Sequence, residues 1–127
     1  MKFARWVFLL AAAYGFVALL PMYFHEARVA HDQPPAITHP EYYYGFVGVA
    51  LAWQLAFLLL AREPVRYRPM MLPATLEKLA FGIAMLALYL QQRLAPLMLA
   101  AGCMDLLFAV LFVLAWWRTR EMSFAAR

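Results

Sequence analysis

Four long apolar segments dominate the chain, and short polar connections separate them. We expect these segments at about residues 4–24, 42–61, 71–91 and 94–117. Each is long enough to cross the hydrocarbon core of a bilayer, roughly 30 Å thick, as an α-helix rising about 1.5 Å per residue. The pattern predicts an all-α fold, in which residues 1–127 form a single domain that is an integral membrane bundle of four transmembrane helices.

The composition supports a membrane protein and excludes other classes. Hydrophobic residues make up 67% of the chain and charged residues 14%, whereas soluble domains average about 45–50% apolar and about 25% charged residues. A small soluble domain could not bury so much apolar surface, and a disordered chain would not contain it. The single cysteine, Cys103, excludes a disulfide within the chain and any zinc or iron–sulfur site built from cysteines.

The distribution of basic residues predicts the orientation of the bundle. Lysine and arginine gather at the amino end, in the second connection and in the tail, whereas the other two connections hold one arginine each. By the positive-inside rule, both termini face the cytoplasm, and we expect a bacterial cytoplasmic (inner) membrane. The basic residues are scattered flanks rather than one face interleaved with aromatic residues, so no nucleic-acid partner is expected.

Asp105 is a single charge almost at the midpoint of the fourth segment. An ionisable group at this depth is costly and usually faces the interior of a bundle. Its helical neighbours include Ala101, Gly102 and Ala109, whose small size lets other helices approach. Asp105 is therefore a candidate for a role with a ligand, an ion or a proton, and a structural hydrogen bond between helices is the alternative.

The third segment carries Glu77 and Lys78 near its cytoplasmic end. Adjacent side chains leave a helix about 100° apart, so one can point inward while the other extends to the headgroups. If Glu77 points inward, Phe81 lies beside it one turn further along. The alternative for Glu77 is an interfacial anchor that pairs with the arginines of the second connection.

The first two segments each contribute one polar group near mid-depth, Tyr14 and Gln54. Together with Glu77 and Asp105, they predict a largely apolar cavity with a few orienting polar contacts. Two neighbouring carboxylates would differ in protonation, which could support proton addition at one carbon and removal at another. For Gln54, a hydrogen bond that joins two helices is the alternative.

The first connection contains three histidines, but their spacing does not match a metal site. None of them lies within an apolar segment, which disfavours haem bound by two histidines. We therefore expect neither a metal nor a cofactor. Glu26 directly follows the first segment and could close the outer mouth of a cavity.

Two short motifs resemble the sigma-2 receptor and emopamil-binding (EXPERA) family. Residues 20–26, LPMYFHE, resemble the end of its first helix, where a proline is followed by an acidic residue that lines the ligand cavity. Residues 53–57, WQLAF, are similar to its second-helix Gln-Leu-Pro-Phe pattern, with Ala56 in place of proline. The dipeptide at residues 68–69, Arg-Pro, also fits the entry to the third helix.

The resemblance implies a four-helix fold whose membrane-embedded pocket binds sterol-like or cationic amphiphilic molecules, sometimes with isomerisation of a sterol double bond. The chain departs from the family pattern at Ala50, where a glutamate is common, and at Glu77, where a histidine would be expected. The first connection is also shorter. The composition is equally compatible with small bacterial membrane families such as the DoxX-like bundles.

The leading hypothesis is a small membrane protein that binds a sterol-, isoprenoid- or lipid-like molecule in an intramembrane pocket. If it is an enzyme, which the sequence leaves open, we expect an acid–base isomerase. The expected catalytic residues are Asp105 and Glu77, and the expected ligand contacts are Gln54, Glu26, Tyr14, Phe81 and Trp53.

Two other functions stay open: an accessory subunit of a larger membrane complex, and a small proton-coupled transporter. Membrane lipids are expected partners in each case. A second copy of the chain could pack through the small residues Gly48, Ala52 and Ala56, which recur at four-residue spacing.

Overall fold

A computed structural model describes residues 2–125, which fold into helices without any strand in that range. Four helical stretches are long and apolar enough to cross a membrane: Lys2–Phe24, Pro40–Arg62, Arg68–Leu90 and Pro96–Arg118. The predicted all-α fold with four membrane-spanning helices is confirmed. The side on which each terminus lies stays a prediction.

The described chain contains six α-helices and two short 3-10 turns. The α-helices are α1 (Lys2–Leu19), α2 (Glu26–Asp32), α3 (Pro40–Arg62), α4 (Met71–Leu90), α5 (Pro96–Arg118) and α6 (Arg120–Ala125). The 3-10 turns are Leu20–Phe24, which extends α1, and Arg68–Met70, which leads into α4. Prolines occupy the first position of α3 and of α5 and the second position of both turns, where their missing N–H leaves no helical hydrogen bond unmade.

The four long helices pack as two antiparallel pairs. α1 packs along α3, α4 packs along α5, and contacts between α1 and α5 join the pairs. Phenylalanine rings fill the centre, with Phe8 4.4 Å from Phe112 and Phe57 5.2 Å from Phe112 between centroids. α3 and α4 scarcely touch, so a groove separates them.

Two glycines bring the backbones of α4 and α5 close together. A Cβ on Gly102 would lie 2.5 Å from the Cβ of Met85, and one on Gly82 would lie 2.6 Å from Cγ of Leu106. Small residues permit this kind of close crossing in membrane helices. Gly82 follows Lys78 by one turn and Gly102 precedes Asp105 by about one turn, so the crossing brings Lys78 and Asp105 face to face.

One end of the bundle, which we call the basic end, contains the start of α1, the end of α3, the second connection and the end of α5. At this end the Arg68 guanidinium donates from Nε and Nη2 to the Trp116 carbonyl oxygen, at 3.1 and 2.8 Å. The same guanidinium lies 3.5 Å above the Trp116 ring. Arg68 therefore fastens the second connection to the end of α5.

Candidate functional site

A buried ion pair joins α4 to α5 inside the bundle. The Lys78 ammonium donates to Asp105 Oδ1 at 3.3 Å, and it lies 3.8 Å from Glu77 Oε2. Lys78 is 3% exposed and Asp105 is 8% exposed. Two carboxylates therefore share one ammonium, and Asp105 is the closer partner.

Lys78 points into the bundle, and sequence reasoning did not place it among the site residues. From the sequence, one of the two side chains points inward while the other reaches the headgroups, and Glu77 is the candidate for the inward position. The sequence does contain a signal for this inward orientation, because Lys78 lies one turn before Gly82, on the face of α4 that meets α5. A small residue at that spacing marks the close-packed side of a membrane helix.

Aromatic rings surround the ammonium of Lys78. Its Nζ lies 5.1 Å from the centroid of Phe57 and 5.8 Å from that of Phe108. Both distances fall within the range of about 6 Å in which the face of a ring attracts a cation. The lysine thus has carboxylates and two ring faces as neighbours instead of water.

The gap between α3 and α4 forms an apolar groove of about 640 Å³, which we call the α3–α4 groove. Its wall is formed by Gly45, Phe46, Val49, Ala50, Trp53, Pro73, Leu76, Glu77, Ala80 and Phe81. Among these described residues, Glu77 alone is ionisable. A volume of this size is typical of small-molecule sites, which are largely apolar with few polar groups.

Glu77 has hydrogen-bonding capacity that the described chain does not use. Its Oε2 is buried without a hydrogen-bond partner among residues 2–125, since Lys78 Nζ at 3.8 Å is beyond hydrogen-bond distance. The side chain is 19% exposed and forms part of the groove wall. An ionised carboxylate accepts hydrogen bonds at both oxygens. Oε2 faces Lys78, whereas Oε1 is neither fully buried nor hydrogen-bonded within residues 2–125, so Oε1 is the acceptor that a donor in the groove would reach.

Of the predicted ligand contacts, Phe81 and Trp53 also line the α3–α4 groove. Phe81 stacks on Phe46 of α3, with the ring centroids 5.7 Å apart and the planes 17° from parallel. This pair bridges the two helices and lies away from the basic end. Trp53 packs against Phe57, at 6.3 Å, on the inner side.

Gln54 and Tyr14 lie on the other side of the core, toward α1. Gln54 is 1% exposed and its Nε2 donates to the Ala50 carbonyl at 2.8 Å, while its Oε1 is buried without a partner in the described chain. A Cβ on Gly15 would overlap the Gln54 side chain. The Tyr14 ring packs against Phe108, 5.8 Å between centroids.

The predicted polar groups therefore divide into two sets. Glu77 lines the α3–α4 groove, and Asp105 is linked to it through Lys78. Gln54 and Tyr14 pack between helices and do not belong to the described groove wall. Their depths in the membrane are similar, but depth does not fix the direction in which a side chain points.

Glu26 lies at the end of the bundle opposite the basic end. The Tyr44 hydroxyl donates to Glu26 Oε2 at 2.7 Å, and the Tyr43 hydroxyl donates to the Met22 carbonyl at 2.6 Å. Both bonds tie α2 and the preceding turn to the start of α3. Glu26 is thus held by a tyrosine and is not part of the described wall of the α3–α4 groove.

Two of the three histidines of the first connection pair with neighbouring carboxylates. His31 lies 3.2 Å from Asp32, and His39 lies 3.2 Å from Glu41. In the part of the chain that the structure describes, no three His, Cys, Asp or Glu side chains are grouped closely enough to hold a metal ion.

No protein-family model, curated protein or solved structure matches this chain. The fold and site define its class as a four-span helical membrane protein with a buried ion pair beside an apolar groove. The likeness of its short motifs to the EXPERA family stays a prediction.

Proposed function

We propose that this protein binds one apolar, lipid-like molecule in the α3–α4 groove and holds the molecule's polar group at Glu77. The ligand class is an elongated hydrocarbon with a hydrogen-bond donor, such as a hydroxyl or an ammonium. The groove volume of about 640 Å³ suits a molecule of sterol or isoprenoid size.

The unsatisfied carboxylate of Glu77 is the observation that carries the proposal. A carboxylate in an apolar wall is costly unless something compensates its charge, and the nearest cation is shared with Asp105. A donor on the ligand would hydrogen-bond Oε1, the oxygen of Glu77 that is not buried against Lys78. Hydrogen bonds to charged groups contribute about 1.5–3 kcal/mol, enough to orient an otherwise apolar ligand.

The groove is placed to receive its ligand from the bilayer. Apolar residues on its wall are widely exposed at the protein surface, with Val49 at 64%, Leu76 at 65% and Phe46 at 41%. In a membrane this surface faces lipid, so a hydrophobic molecule reaches Glu77 laterally without crossing water.

Asp105 has a positioning role in this proposal. Asp105 binds the Lys78 ammonium at 3.3 Å, and the ammonium then lies 3.8 Å from Glu77 Oε2, beyond hydrogen-bond distance. An isomerase that used both carboxylates would need Asp105 at the ligand, whereas the described groove wall includes Glu77 and not Asp105. The proposal therefore concerns binding, with no turnover assigned.

Native mass spectrometry of the protein extracted from its own membrane, with identification of retained lipids, tests the proposal. Ala80→Phe fills the groove at an exposed position, and Ala100→Phe is the matched control on the exposed face of α5. Glu77→Gln keeps the shape of the wall and removes its charge.

We expect one copy of a defined apolar molecule on the wild type and on Ala100→Phe. Retention should fall at least tenfold in Ala80→Phe, and about tenfold in Glu77→Gln because a charge-assisted hydrogen bond is lost. Equal retention in all four proteins, or only bulk phospholipid, would contradict the proposal. A stoichiometric second subunit with an empty groove would favour the accessory-subunit hypothesis instead.

A further inference from the structure

A second groove runs between α1 and α3 at the basic end, with a volume of about 900 Å³; we call it the α1–α3 groove. Its wall is formed by Lys2, Arg5, Trp6, Leu9, Leu55, Leu58, Leu59, Ala61 and Arg62. It is separate from the α3–α4 groove, and the two share no lining residue. We infer that the α1–α3 groove binds one anionic phospholipid, with its phosphate among Lys2, Arg5 and Arg62 and an acyl chain along the leucines.

The two helices present the same arrangement of residues to this groove. On α1, Lys2, Arg5 and Leu9 follow each other at spacings of three and four, which places them on one face. On α3, Leu55, Leu59 and Arg62 do the same in the opposite direction along the chain. Because the helices are antiparallel, both faces have cations at the basic end and leucines deeper in the membrane.

The dimensions fit the upper part of a phospholipid. Leu55 and Arg62 are seven positions apart, which corresponds to about 10 Å along the helix. The Trp6 ring is 60% exposed and lies one turn deeper than Lys2, at the level where tryptophan prefers the headgroup boundary. A phosphate at the rim would therefore leave an acyl chain against Leu9 and Leu55.

The three cations are available for an anion. Within residues 2–125, Lys2, Arg5 and Arg62 make no hydrogen bond or ion pair through their side chains. Glu63, which directly follows Arg62 in the sequence, pairs with Arg66 at 3.2 Å instead.

The other arginines of the basic end that lie within residues 2–125 each have a partner of their own. Arg68 donates to Trp116, Arg118 lies over the ring of Phe3, and Arg120 lies over the ring of Trp117. Among the described basic residues of this end, those of the α1–α3 groove are therefore the ones without a hydrogen-bond, ion-pair or ring partner. Basic pockets between membrane helices on the cytoplasmic side, where we expect the basic end to lie, bind anionic lipid headgroups.

Lipid titration of the full-length protein in detergent, followed by native mass spectrometry, tests the inference. The probes are dioleoylphosphatidylglycerol, which is anionic, and dioleoylphosphatidylcholine, which has no net charge. The test variant is Lys2→Gln/Arg5→Gln/Arg62→Gln. The control, Arg66→Gln/Arg118→Gln/Arg120→Gln, removes the same charge from the same end but outside the groove.

We expect the first phosphatidylglycerol to bind wild type at least tenfold more tightly than phosphatidylcholine, since each cation near an anionic group contributes roughly fivefold. The test variant should lose this preference at least tenfold, and the control should keep it. Leu59→Trp, which fills the groove without changing charge, should weaken binding of the first lipid.

Two results would overturn the inference: equal binding of the two lipids by wild type, or equal losses in the test and control variants. The second result would assign the preference to overall surface charge. All three replaced side chains of the test variant are exposed, so folding is not expected to change. Neither result bears on Glu77, because the variants leave the α3–α4 groove intact.

Discussion

Removing the Lys78 ammonium should destabilise the bundle more than removing Asp105. Lys78→Met keeps an apolar chain of similar length and leaves two carboxylates, Asp105 and Glu77, without their shared cation. Asp105→Asn leaves Lys78 with Glu77, 3.8 Å away. The structure therefore predicts which substitution lowers the free energy of unfolding more, and by how much.

The size follows from the geometry. At the observed 3.3 Å, opposite unit charges attract by about 5 kcal/mol at an effective dielectric constant of about 20. Desolvation of both ions offsets much of this attraction, so the intact pair contributes little net stability. Removing one partner of a buried pair leaves the charge of the other buried without compensation, which costs about 3–5 kcal/mol of stability. We expect this loss for Lys78→Met and a smaller one for Asp105→Asn.

Unfolding in mixed micelles of a mild detergent and sodium dodecyl sulfate, followed by circular dichroism, measures these free energies. Replacing both partners, as in Lys78→Met/Asp105→Leu, should cost less than Lys78→Met alone, since apolar packing then replaces the pair. Arg93→Met, at an exposed position, is the control and should change stability by no more than about 0.5 kcal/mol.

Two outcomes would refute this reasoning. A loss below about 1 kcal/mol for Lys78→Met would mean that the ammonium does not stabilise the carboxylates. With Asp105→Leu measured as the second single variant, a double variant whose loss equals the sum of the Lys78→Met and Asp105→Leu losses would mean that the two residues do not interact.

Three further predictions concern contacts that hold the bundle together, and the same unfolding assay measures all of them. Gly15→Ala should cost about 1–3 kcal/mol of stability, because the new Cβ overlaps the Gln54 side chain. Adding Gln54→Ala should recover part of this loss, and no recovery would mean that the two side chains do not touch. Arg68→Lys should cost about 1–2 kcal/mol, because a lysine cannot donate two hydrogen bonds to the Trp116 carbonyl oxygen while stacking on the Trp116 ring. An unchanged free energy of unfolding would contradict this geometry. Gly102→Val should cost more than 1 kcal/mol by pushing α4 from α5, and a neutral result would mean that the helices cross further apart.

The fold class was readable from the sequence because a membrane imposes long apolar segments with short polar connections. Apolar length and few charges predict helices of spanning length, and prolines such as Pro40 and Pro96 mark where two of them begin. The short α2 was not predicted, since the first connection reads as polar without a clear helical pattern.

The site was only partly readable. The position of Asp105 at the middle of an apolar segment marks it as a candidate, and Glu77 is a candidate as a charged residue near the cytoplasmic end of the third segment. Lys78 was missed because adjacent charges in a sequence do not reveal which of them points inward. Gln54 was expected beside Glu77 from its depth, yet its side chain lies against Gly15, since rotation about the helix axis depends on packing partners.

The most direct test of the proposed site is photo-crosslinking in the protein's own membrane with a long-chain alcohol that carries a diazirine beside its hydroxyl. Carboxylates react readily with such probes, so the apolar groove residues Phe81 and Trp53 provide the readout. We predict adducts on these residues and their loss in Ala80→Phe. Adducts that are as frequent on Val113, which is exposed on α5, would contradict a ligand site in the α3–α4 groove.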